Sequence, residues 1–279
     1  MIVGVVSGKG GTGKTTVAVN LAAVAEDPVM LLDCDVEEPN CHLFFDSSME
    51  QLESVSIGVP RLEADRCIGC GDCAELCEFQ VLAFLAGKPL VFPELCHGCG
   101  GCFLACPTGA LIETRSRIGV VERSRTNSCT LIHGRLNVGK ALSPPLIKAV
   151  RRYEAGSGMT IVDGPPGTTC SLAAALVGCD LALLVAEPTP FGVHDLELLI
   201  DGARKLGMPM AAVINRATRG SAISRDLCAK EGIPVLAEVP ESEEIARVQA
   251  RGKIASHMLP EIRTIFERLW PALSSACHR

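Results

Sequence analysis

The sequence predicts an α/β fold, a doubly wound, mainly parallel sheet into which a small α+β unit is inserted. Three observations carry that prediction. Ile2 to Val6 is a short apolar run that passes through a glycine-rich loop straight into a helical pattern. Beyond residue 116, strand-like runs near 118–122, 159–162, 181–185, 210–214 and 233–236 alternate with helical patterns near 141–153, 170–177, 193–206, 221–231 and 241–251. Such alternation is the mark of a parallel sheet with helices on both faces. Between about 59 and 116 the rhythm gives way to cysteines, glycines and short apolar pieces.

Taken in order, the first helix is expected over Thr15 to Ala25, with apolar positions at Val17, Leu21 and Val24. Val29 to Leu32 is a second strand, ending at Asp33. Runs this apolar need cover on both faces, which places them inside a parallel sheet. The cysteine-rich segment is flanked by Gly58-Val59-Pro60 and Arg115-Ser116-Arg117, and repeats internally at about 29 residues, Cys67 to Cys96. The expected organisation is therefore a discontinuous host, 1–58 and 117–279, with an insert over 59–116. Near the end, 260–270 carries Ile262, Ile265, Phe266, Leu269 and Trp270 at helical spacing with few basic residues. That pattern suits a helix packed on the core better than one lying in a membrane surface.

At 279 residues the chain can build a sizeable core, and its 48% hydrophobic and 21% charged composition is ordinary for a globular protein. A net charge of −6 supplies no field for nucleic acid or an anionic membrane, so neither is an expected partner. The mean hydropathy of +0.30 raises a membrane reading. The longest apolar stretch, Leu172 to Ala186, contains Asp180 and Gly178, and falls short of the roughly 18 residues a span requires. With no basic leader or cleavage site, a cytoplasmic location without a stable membrane anchor is expected. Of the 15 cysteines, eight fall in two regular clusters, a pattern that calls for metal.

Gly8-Lys9-Gly10-Gly11-Thr12-Gly13-Lys14-Thr15 fits the phosphate-loop pattern G-x-x-x-x-G-K-[ST], and it stands after a strand and before a helix. Its glycines let backbone N–H groups turn toward phosphate oxygens, and the helix N-terminus adds partial positive charge. Lys14 would reach the β- and γ-phosphates, while the Thr15 hydroxyl would ligate Mg²⁺. The expected fold is thus a P-loop NTPase. Met159 to Val162 ends in Asp163, a Walker B pattern in which the carboxylate holds Mg²⁺ through water. Gly164 to Gly167 would follow as switch II, sensing the γ-phosphate.

With its second lysine, Lys9 to Thr16 resembles the deviant Walker A motif of the MinD/ParA family of P-loop ATPases. The resemblance implies an ATP-dependent homodimer in which Lys9 acts on the other subunit's phosphates. Gly8, Gly10, Gly11, Thr12, Gly13, Lys14, Thr15 and Thr16 would bind ATP or ADP. It also makes Asp33 to Asn40 the switch I segment, with Asp35 orienting the attacking water and Asp33 near the loop lysine or the metal. Asn215 matches the position that reads the adenine edge, and Glu187 to Gly192 resembles a loop that touches the base or the dimer partner. Lys9, Lys14 and Asp35 are the expected catalytic residues.

Cys67-x2-Cys70-x2-Cys73-x3-Cys77 is followed by Cys96-x2-Cys99-x2-Cys102-x3-Cys106-Pro107. This is the bacterial-ferredoxin spacing twice over, in which the fourth cysteine of each run serves the other cluster. Two [4Fe–4S] clusters are expected, one on Cys67, Cys70, Cys73 and Cys106, the other on Cys96, Cys99, Cys102 and Cys77. Zinc is the rival for paired Cys-x2-Cys motifs. Cys77 is followed by Glu78 where the pattern has proline. His97, inside the second run, reads as a neighbour and not a ligand. Of the other cysteines (34, 41, 129, 170, 179, 228, 277), most read as buried small apolar residues. Cys170 is set apart by its resemblance to the switch II cysteine of the nitrogenase iron protein, whose cluster bridges two subunits.

The whole chain resembles MinD-superfamily ATPases carrying an inserted ferredoxin domain. Three functions follow. One is an ATP-driven dimer switch coupled to electron transfer through the two clusters to a client protein. The second is an assembly carrier for clusters or metal cofactors, which predicts a labile cluster outside the eight cysteines. The third is a MinD-like positioning ATPase whose clusters sense redox state.

Overall fold

The computed structural model describes residues 1–45, 48–126, 128–140, 142–156 and 158–277. The chain opens with β1 (Ile2–Ser7), turns through the glycine loop into α1 (Lys14–Ala23), and returns as β2 (Val29–Asp33). A long strand, β3 (Glu50–Leu62), leads out to the cysteine-rich segment. That segment holds α2 (Asp72–Glu75), the hairpin of β4 (Leu82–Leu85) and β5 (Lys88–Val91), and α3 (Gly101–Ala105). The return is β6 (Leu111–Arg125), then β7 (Cys129–Leu136), α4 (Pro144–Arg151), β8 (Met159–Pro166), α5 (Cys170–Leu176) and β9 (Leu181–Ala186). After α6 (Pro190–Lys205) come β10 (Met210–Ala217), α7 (Ala222–Lys230), β11 (Val235–Pro240), α8 (Glu243–Ala250), α9 (Ala255–Met258) and α10 (Pro260–Ala276).

Nine strands form one sheet in the order β11-β10-β9-β1-β8-β2-β7-β6-β3. From β11 to β7 every pairing is parallel, as expected from the apolar runs. β6 and β3 then extend the sheet antiparallel. The run expected near 118–122 lies inside β6, so it belongs to this antiparallel edge. β3 and β7 carry no equally clear signal. β3 is half-exposed and alternates polar with apolar residues, while His133, Gly134 and Arg135 interrupt the apolar pattern of β7. The helix expected over 141–153 covers Pro144–Arg151; residue 141 lies outside the described residues.

The β3–β6 ladder runs without a break through the expected insert boundaries. Gly58 pairs with Arg115, Val59 with Thr114, and the pairing continues to Leu62 with Leu111. The cysteine-rich segment therefore rides on two strands of the main sheet, with no linker between them.

The core has two layers, one on each face of the sheet. One gathers Val17 and Leu21 of α1 with Phe266, Leu269 and Leu273 of α10. The other gathers Leu146 and Ile147 of α4 with Leu172, Leu196 and Leu199. A small separate cluster forms around Cys73, Leu82 and Leu111. α10 is thus a core helix, as its spacing predicted, and the Trp270 indole N–H donates to the Leu21 carbonyl at 3.0 Å. Among the described residues no helix is long and apolar enough to cross a membrane. Phe266 is fully buried, and Phe266→Ala should cost about 3–5 kcal/mol in urea unfolding. A loss below about 1 kcal/mol would remove α10 from the core.

Candidate functional site

The site begins where β1 ends. Gly13 takes φ of +91° at the start of α1, and a side chain there would collide with the Asn215 amide. That tight approach seats the loop. The Asn215 amide nitrogen donates to the Thr12 carbonyl at 2.7 Å, tying β10 to the loop. Asn215, the expected base reader, is thus in hydrogen-bond contact with the loop itself. Gln249 of α8 donates to the Thr16 hydroxyl at 2.7 Å. A cleft of about 730 Å³ opens above Gly10, Gly11, Gly13, Lys14, Thr15 and Thr16, within the range of small-molecule pockets. Asp35, Glu37 and Glu38 line it from one side, with Arg216 and Lys140 also on its wall.

Parallel register sets Asp33 of β2 beside Asp163 of β8 beneath this cleft. Both are fully buried. Asp33 is held by three backbone N–H donors: Asp35 at 3.1 Å, and Asn40 and Cys41 at 3.0 Å each. It therefore clasps the segment expected to act as switch I. Burial, then the nearby Asp163 charge, push its carboxyl well above the usual range. Asp163 Oδ2 accepts from the Thr15 hydroxyl at 2.6 Å and from the Cys41 thiol at 3.4 Å, while its Oδ1 is buried without a protein partner. Asp33, Cys41 and Asp163 bring ligand atoms within 4.8 Å of one another. Asp35 is raised to about 6, by burial first, with Lys14 opposing and Asp163, Glu37 and Glu38 adding to the rise.

Lys9, unlike Lys14, is not among the residues lining the cleft. Its ammonium pairs with Glu187 at 3.4 Å and Asp195 at 3.6 Å, and Arg216 also binds Glu187. Of these partners only Glu187 lay in a segment the sequence singled out. Asp195 is a half-buried residue early in α6, where a single carboxylate carries no signal of its own.

The cysteines converge in a crossed pattern. One cavity is lined by Cys77, Cys96, Cys99 and Cys102; another by Cys67, Cys70, Cys73 and Cys106. Gly69, Gly71, Gly98 and Gly100, all at positive φ, let the two runs wrap. Backbone N–H groups of Gly98 and Ala110 point at Cys96 and Cys106 sulfurs, at 3.4 and 3.2 Å. Burial pushes the Cys102 thiol up to about 11. At Cys106 burial also raises, but amide donors from Ala110 and Leu111 and the Thr108 hydroxyl outweigh it and bring the thiol down. His97 is exposed and stacks on Phe79 at 3.8 Å. Cys34, Cys41, Cys129, Cys179 and Cys228 are buried, whereas Cys170 is exposed at the start of α5.

Residues 3–255 match the CobQ/CobB/MinD/ParA nucleotide-binding domain. The chain belongs to that family. Two relatives from Methanocaldococcus jannaschii accompany the match. The uncharacterized protein MJ0578 is 31% identical over 277 residues, covering 96% of each chain. The uncharacterized protein MJ0579 is 33% identical over 225 residues, covering 77% of this chain and 80% of its own. Among solved structures, the Pyrococcus furiosus cell division ATPase MinD superposes with a TM-score of 0.61 at 18% identity, covering 98% of both chains. The septum site-determining protein MinD of Pyrococcus horikoshii, complexed with Mg-ADP, gives 0.59 at 18% identity over 96% and 93%. At such identity these structures speak for the fold. Family membership makes this a nucleotide-binding P-loop protein of the MinD/ParA type.

Proposed function

We propose that the chain is an ATP-hydrolysing dimer switch coupled to electron transfer through two [4Fe–4S] clusters. The observation that carries this reading is the crossed pair of four-cysteine cavities on strands continuous with the nucleotide-binding sheet. The donor set fits such clusters. A single tetrahedral zinc with bonds of about 2.3 Å would hold its sulfurs about 3.8 Å apart. Among the described residues, no three of these cysteine sulfurs gather within 4.8 Å. All-cysteine cubanes store and pass single electrons.

At the nucleotide, the loop amides and Lys14 hold phosphate, and Thr15 with Asp163 would hold Mg²⁺. The buried, unpartnered Asp163 oxygen supports this, because a carboxylate oxygen without a donor is costly unless a cation or its water faces it. Asn215, bonded to the Thr12 carbonyl and next in the chain to the cleft-lining Arg216, would read the base. Asp35 orients water for attack. Lys9 serves the partner subunit's phosphates, for which it must exchange Glu187 and Asp195 for a more strongly charged group across the interface. A client protein then takes or supplies the electron.

Anaerobically purified protein should carry about eight irons and eight sulfides per chain, dimerise with Mg-ATP, and hydrolyse ATP at different rates when oxidised and reduced. Zinc in place of iron would reject the redox half; equal rates would reject the coupling. Asp35 adds a pH signature. Its water-accepting carboxylate is lost as pH falls through about 6, so hydrolysis should decline on acidification with that midpoint. Asp35→Asn should lower the rate by about 10²-fold or more and flatten the profile. A wild-type profile level from pH 7.5 to 5 would remove Asp35 from the reaction.

A further inference from the structure

The stretch after β7 belongs to two places at once. Leu136 to Lys140 form part of the nucleotide cleft wall. Lys140 and Leu142 also line a small cavity together with Ile57, Cys96 and His97. Hydrogen bonds anchor the stretch on both sides. The Leu136 N–H donates to the Val36 carbonyl, and the Ser143 hydroxyl to Glu37 at 2.5 Å, both in the switch I region. The Asn137 N–H donates to the Ile118 carbonyl at 2.8 Å on β6.

Lys140 carries the charge. It is one of three cationic side chains, with Lys14 and Arg216, that line the cleft among the described residues. Arg216 is already paired with Glu187. The Lys140 ammonium instead donates to the neutral Ser116 hydroxyl at 3.0 Å, so its charge is not balanced there. A phosphate oxygen would be a stronger partner, because it sets a full negative charge against the ammonium where the hydroxyl offers only a dipole.

Ser116 leads to the cysteines in two steps. It pairs with Ile57 across the β3–β6 ladder. Ile57 packs at contact distance from Gly98, and the next carbonyl, Gly58, is reached by the Cys96 sulfur at 3.9 Å. We infer that Lys140 is a positioning residue that exchanges Ser116 for nucleotide phosphate, and that this exchange links the cleft to the Cys96–Gly100 loop. The link rests on the proposed function only for what the cysteines hold; the contacts themselves need no metal.

Hydrogen exchange on the full-length protein, with and without saturating Mg-AMPPNP, tests it. In the wild type the nucleotide should alter amide exchange over 93–100 by at least about twofold. Lys140→Met should bind the analogue about threefold to tenfold more weakly, the loss of one charged hydrogen bond, and at saturation show no change over 93–100. Ser116→Ala keeps the cation and removes its tether. It should bind the analogue within about twofold of wild type and also lose the response at 93–100. No response in the wild type, or a response that survives in either variant, overturns the link. Iron and sulfide counted on the same samples judge the cluster reading separately, since a low count rejects that reading whatever the exchange shows.

Discussion

Lys14→Ala should reduce the ATPase rate by at least about 10²-fold, the usual scale for removing one preorganised cation or donor from a transition state. Lys14 is 5% exposed at the head of α1, facing the cleft and close enough to Asp35 to lower its proton affinity. Two effects follow from its loss. The phosphates lose the lysine at the head of α1, and Asp35 loses the charge that opposes its protonation. The residual activity should therefore have an acid limb shifted above pH 6, a change that simple loss of binding would not produce. Steady-state rates from pH 5 to 8 measure both. A variant that retains more than a tenth of wild-type turnover would mean that Lys14 does not meet the transferring phosphoryl group.

The second large effect concerns iron. If each cavity is a cluster site, then pairs of cysteine substitutions sort by cavity and not by sequence run. Cys67→Ala with Cys106→Ala removes two ligands lining one cavity, and the protein should keep about four irons. Cys96→Ala with Cys106→Ala strikes both cavities and should leave close to none. An uncrossed arrangement predicts the reverse, because Cys96 and Cys106 lie in the same run. Iron analysis with electron paramagnetic resonance of the reduced proteins decides between them. Loss of all iron in the first pair, with half retained in the second, would refute the crossing.

Much of the site could be read before any fold was known, and for a local reason. Gly8 to Thr15 carry out their task within one turn of chain, so their order alone reports the loop. The cysteine runs are similar: spacings of three and four residues, with glycines between, are what a turning loop needs to present several sulfurs to one cavity. The strands of the parallel half were equally plain, since Leu181 to Ala186 is apolar on both faces and wholly buried. β3 was obscure because it is an edge strand, with one neighbour and a half-wet face.

What the sequence by itself determined is what depends on near neighbours: a phosphate-loop motif, an aspartate at a strand end, two cysteine runs and the alternation that builds the sheet. Only the tertiary structure decided which distant groups meet. It set Lys9 between Glu187 and Asp195, Cys41 against Asp163, Lys140 on Ser116, and the cysteine-rich segment on two strands of the main sheet. Those partners are separated by tens to more than a hundred residues of chain, and no spacing rule spans such distances. They come together because burying both faces of one sheet leaves the helices and loops a single arrangement that satisfies the core.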